Sequence, residues 1–121
     1  MKMTEEIAIA IPDDVRSAFM ALDGDYLADV LRLWDCDLKC WHDPYMIVFR
    51  FESEDVMVWN ESSTLRHCAG AVDTSALAGT LPKAVMTGID GDSCLCWLRD
   101  TRFDSYIGSA GASSDLLMSI V

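Results

Sequence analysis

The spacing of apolar residues changes once along this chain, and that change bounds the kind of domain it can build. Leu27, Val30, Leu31, Trp34, Leu38 and Trp41 are separated by steps of 3, 1, 3, 4 and 3, the spacing of one face of a helix. From Tyr45 onward the period is two, with Tyr45, Ile47, Phe49 and Phe51 alternating against Met46, Val48, Arg50 and Glu52. Asp43-Pro44 stands between the two regimes, where a helix is expected to stop. A helical stretch followed by strands of period two makes an α+β domain.

An earlier helix is expected after Pro12. Proline suits the first turn of a helix, and Asp13 and Asp14 favour its positive end. Val15, Phe19 and Leu22 then share a face, and Asp23-Gly24 ends the element. Ahead of it, Ile7, Ile9 and Ile11 alternate with Ala8 and Ala10 over too short a run to decide between strand and helix. Asp25 is placed to cap the second helix, whose polar face carries Asp29, Arg32, Asp35 and Lys39.

The strands read as hairpins. Tyr45–Glu52 and Asp55–Glu61 form the first, turning at Ser53-Glu54. Lys83–Ile89 and Cys94–Arg99 form the second, joined through Asp90-Gly91. Phe103, Ser105 and Ile107 suggest a further strand, and Leu116–Val121 a short closing helix or edge strand. Residues 62–82, with little periodicity, read as a connection with at most a helical turn capped by Thr74 or Ser75. The expected fold is therefore α+β: two N-terminal helices, with Trp34 and Trp41 in the core, packed on one face of a four- or five-stranded, mainly antiparallel sheet. With 121 residues and no internal repeat or linker, the chain reads as a single domain over 1–121.

The residues that carry common chemistries are present but badly arranged for them. Five cysteines, an odd number, with no signal-like N-terminus, argue for reduced thiols in a cytoplasmic protein. Cys36, Cys40 and His42, His67-Cys68 and Cys94-x-Cys96 invite a zinc site, yet they fall on predicted helix and strand positions rather than on paired knuckles. Cys68 lies beside His67, but sequence neighbours rarely face each other as nucleophile and base. Asp90-x-Asp92 lacks the further oxygen ligands of a calcium loop and is explained as a turn. No phosphate-binding glycine loop or nucleophile elbow occurs. No metal, no cofactor and no enzymatic activity is expected.

Charge is the remaining signal. The chain holds 20 Asp and Glu against 9 Lys and Arg, a net charge of -11. Such a protein repels nucleic acid and anionic membranes and attracts basic partners. The excess concentrates in residues 1–61. Asp29, Asp35, Asp37 and Asp43 decorate the second predicted helix, Glu52, Glu54 and Asp55 crowd one turn, and Glu61 closes the strand that follows. Crowded like charges cost stability, which a neutralising partner removes. The expected function is an acidic protein-binding inhibitor, an immunity-type protein that neutralises a basic toxin, a nuclease above all, by covering its active site. It is expected to be monomeric when free and to use those eight carboxylates. The alternative is a small-ligand-binding protein or enzyme built on the 62–82 loop, drawing on His67, Cys68 or Tyr106.

Overall fold

The computed structural model describes residues 11–36, 38–42, 45–74 and 95–108. The strand expected at 83–89, its Asp90-Gly91 turn, the Ile7–Ile9 alternation, Ser75 and the Leu116–Val121 segment lie outside those residues. In chain order the elements are α1 (Asp13–Met20), β1 (Leu27–Asp35), β2 (Cys40–Trp41), β3 (Met46–Phe51), β4 (Asp55–Glu61), β5 (Thr64–Gly70), β6 (Leu95–Arg99) and a 3-10 helix (Thr101–Tyr106). The fold is α+β with a mainly antiparallel sheet, and every described strand pairing is antiparallel.

The first helix forms where the sequence puts it. Pro12 occupies the N-cap with φ -63°, and Asp13 and Asp14 fill the first turn. Val15 and Phe19 are fully buried, and Leu22 follows them into the core. The first hairpin also forms as expected. Ile47 pairs with Val58 and Phe49 with Val56, which puts all four on the face covered by α1. Phe19 meets the ring of Phe49 edge-on with centroids 5.0 Å apart, and Phe49 in turn meets Phe103 at 6.2 Å. Each such ring contributes about 2–3 kcal/mol by leaving water. Leu33 and Val48, which point out of the opposite face, are also fully buried, so the sheet centre is shielded on both sides.

The second predicted helix does not form. Residues 27–35 are a strand instead, and two physical causes produce the helical spacing. The pairing of β1 with β3 slips between Leu27 and Asp29, a bulge that returns Val30 to the face of Leu27 after three residues rather than two. Beyond the bulge the strand is apolar on both faces, so Val30, Leu31, Leu33 and Trp34 form a nearly continuous run that periodicity cannot distinguish from a buried helix. β1 is the strand around which the sheet is organised. The Leu33 carbonyl accepts from the His42 N–H and the Val30 carbonyl from the Asp100 N–H. Residues of opposite parity face opposite edges, so β2 and β3 share one edge of β1 and β6 takes the other.

Three further expectations change. Residues 64–70, expected as part of a loop, are strand β5, the last in the order of the described sheet, paired with β4 from Glu61↔Thr64 to Asp55↔Gly70. Ser62 and Ser63 turn the chain with φ of 54° and 66°, the left-handed pair that suits a two-residue hairpin. The strand expected over 103–107 is instead the 3-10 helix, capped by Asp100, whose carboxylate accepts from the Arg102 N–H, with Phe103 buried beneath it. Trp34 and Trp41, expected in the core, are half-buried and stack edge to face at 5.2 Å on the rim.

Candidate functional site

The carboxylates expected to form one surface are separated by the fold into structural groups and exposed ones. Asp35 is buried at the end of β1, where its Oδ1 accepts from the Leu38 N–H and shapes the turn into β2. Asp55 is buried at the start of β4. Its two oxygens take the Nε and Nη2 of Arg50 at 3.1 and 3.2 Å, and Oδ2 also accepts from the Val72 N–H. Both carboxylates are thus engaged by groups of the fold itself. Asp29 lies half-buried on β1, accepts from the Val30 N–H, and stands 3.5 Å from Arg99. Asp37 and Asp43 lie outside the described residues.

Glu52 and Glu54 remain exposed on the β3–β4 turn. The fold joins that turn to the loop between α1 and β1, because the Glu52 N–H donates to the Tyr26 carbonyl and Ser53 donates through both its N–H and its hydroxyl to the Asp25 carboxylate. The Ser53 hydroxyl is the main reason the Asp25 carboxyl lies below its ordinary range, with the Tyr26 and Ser53 N–H groups adding to it. Asp25, expected as a helix cap, is therefore a brace between two loops. The result is an acidic end of the sheet carrying Asp23, Asp25, Glu52 and Glu54. Glu61 lies at the other end, as the last residue of β4 before the β4–β5 turn, where it accepts from the Trp59 indole N–H.

Cations are distributed unevenly with respect to this end. Among the described residues, the arginine ion pairs engage Asp29, Asp55, Asp100 and Asp104. None of these described pairs engages Asp23, Asp25, Glu52 or Glu54. The four carboxylates form a patch that no described arginine neutralises.

A second feature, not expected from sequence, sits at the far end of β1 and β3. Arg32, Trp41, Asp100, Thr101 and Arg102 line a cleft of about 370 Å³. The Arg32 guanidinium lies over the Trp41 ring at 5.0 Å and over the Tyr45 ring at 4.5 Å, a stacked arrangement in which the cation is shielded from water. Arg102 bridges the Tyr45 hydroxyl at 3.1 Å and Asp100 at 3.3 Å. Burial pushes the Tyr45 phenol above its ordinary range, and Arg102 and Arg32 partly offset this. The local sequence gives little warning, since Arg32, Tyr45 and Arg102 come from three separate segments.

The groups considered for thiol and metal chemistry are dispersed. His67 and Cys68 are successive residues of β5 and so point to opposite faces, His67 toward Asp14 of α1 at 3.7 Å and Cys68 toward solvent. Tyr106 packs against the core beside Phe103. Cys40 is exposed on β2 while His42 is buried, and no group of three metal-binding side chains occurs among the described residues. Cys94, Asp90 and Asp92 lie outside the described residues. No described helix is long and apolar enough to cross a membrane. Comparisons with protein-family models, curated proteins and solved structures gave no match.

Proposed function

We propose that this protein is an immunity-type inhibitor that neutralises a basic toxin, a nuclease by the chemistry of the surface, and that its acidic end enters the groove meant for phosphates. One observation carries the reading: the described arginine ion pairs go to other carboxylates, leaving Asp23, Asp25, Glu52 and Glu54 together on two braced loops. The docking surface is correspondingly narrower than the charge pattern suggested, because Asp35 and Asp55 are internal and Glu61 lies at the far end.

The bracing bears on affinity. Loops already held by the Tyr26–Glu52 and Asp25–Ser53 hydrogen bonds lose little freedom on docking, which leaves more of the interaction energy as binding. Like charges held close also raise the on-rate for a basic partner, in a manner that salt screens.

Retention of partner proteins on the immobilised protein, followed by titration of the retained protein's activity, tests the proposal. One basic nuclease bound in equal amount and inhibited at equal stoichiometry is the expected result. A retained set of unrelated basic proteins, all released together by modest salt, overturns it.

A further inference from the structure

Cys36 follows β1 in the turn toward β2, and Cys96 lies on β6 opposite Trp34. The register places them diagonally across the β1–β6 pair, and the fold brings their sulfurs to 3.2 Å across 60 positions of sequence. Both residues are half-buried, so the pair is sheltered yet open to a small reagent. A disulfide bond is ~2.05 Å long, so the two sulfurs need to approach by only about 1 Å. The sequence gives no sign of this contact, since helical spacing would set Cys36 beside Cys40 instead.

We propose that Cys36 and Cys96 are a modification site, a dithiol that closes to an intramolecular disulfide by exchange with a low-molecular-weight disulfide such as oxidised glutathione. One cysteine loses its proton, and its thiolate attacks the reagent, forming a mixed disulfide and releasing one glutathione thiolate. The second cysteine, deprotonated in turn, attacks the protein sulfur of that mixed disulfide. The Sγ–Sγ bond forms, the bond to glutathione breaks, and a second glutathione thiolate leaves. The protein gives up two electrons and two protons, and the reagent takes the electrons to become two thiols. Cys40 and Cys68, both exposed, stop at the mixed disulfide.

Closure ties the β1–β2 turn to strand β6. Because the bond closes a loop of about 60 residues, the oxidised protein is expected to melt on the order of 10 °C higher than the reduced one.

The test exposes the full chain to graded mixtures of reduced and oxidised glutathione, traps remaining thiols by alkylation, and maps the peptides by mass spectrometry. The expected result is a Cys36–Cys96 linked peptide that forms at a lower fraction of oxidised glutathione than adducts on Cys40 or Cys68. Cys36→Ser and Cys96→Ser should each abolish the linked peptide and leave a glutathione adduct on the surviving partner. Full alkylation of Cys36 and Cys96 while Cys40 and Cys68 carry glutathione overturns the proposal, as does a link between any other pair. The mapping is made on the unsubstituted protein, so the outcome stands even where a serine variant fails to fold.

Discussion

Arg50 and Asp55 face each other across the β3–β4 pair, and the guanidinium holds both carboxylate oxygens, at 3.1 and 3.2 Å. The same Asp55 also accepts from the Val72 N–H, and Arg50 donates to the Val72 carbonyl. A residue whose charge suits a docking surface is thus the clasp that fastens the chain after β5 to the first hairpin. Asp55→Ala should destabilise the domain by roughly 2–3 kcal/mol, since it strands a half-buried guanidinium and a backbone donor together. The midpoint of urea unfolding measures this. A loss below about 0.5 kcal/mol would show that the clasp is slack in solution.

The β4–β5 turn offers a change in the opposite direction. Ser62 and Ser63 sit at φ of 54° and 66°, a conformation that costs an ordinary residue about 1 kcal/mol and glycine very little. Ser62→Asn with Ser63→Gly installs the pair that such turns favour and should stabilise the protein by about 1 kcal/mol. Unchanged or lower stability on thermal melting would mean that the turn is held in another geometry.

Alkaline pH should weaken the fold through Tyr45. Burial raises its folded pKa above the ordinary 10.0, and the charges of Arg102 and Arg32 offset only part of that. The contribution is fully present below the unfolded pKa and is lost as pH rises through the unfolded value toward the raised folded one. Stability should therefore fall from about pH 9.5 upward, and Tyr45→Phe should flatten that fall. An identical alkaline profile in both proteins would place the Tyr45 ring in water.

Arg32 supports the same corner by shape as well as charge. Lysine keeps the charge but cannot lie flat between the Trp41 and Tyr45 rings, so Arg32→Lys should cost about 1–2 kcal/mol in chemical denaturation. A neutral outcome would reduce the stack to a coincidence of packing.

How far the sequence can be read depends on whether a residue's neighbours are local. Pro12, Asp13 and Phe19 are explained within one helix, and Ile47, Phe49, Val56 and Val58 within one hairpin, and both elements are legible. β1 reads as a helix because a bulge and two apolar faces imitate one, both consequences of strands that pair with it from elsewhere. β5 escapes notice because its turn is Ser-Ser rather than Asn-Gly and because it buries only Leu65 deeply. The carboxylates divide in the same way. Glu52 and Glu54 are recognisable as an exposed turn, whereas Asp35 and Asp55 differ from them only through the backbone groups of Leu38 and Val72 and the side chain of Arg50. The cleft around Arg32 and the Cys36–Cys96 contact join distant segments and leave no local trace.

Recognition of a basic protein by the acidic end, as proposed, depends on the exposed Glu52 and Glu54. Its most direct test compares the wild-type protein with the Glu52→Lys/Glu54→Lys variant, measuring association with the retained partner and inhibition of its activity across a salt series. Both side chains are exposed, so the variant should melt within a few degrees of wild type. The variant is expected to associate at least about tenfold more slowly at low salt, with a gap that narrows as salt rises and inhibition that weakens in parallel. Equal association rates for the two proteins at low salt would remove the acidic end from the binding surface.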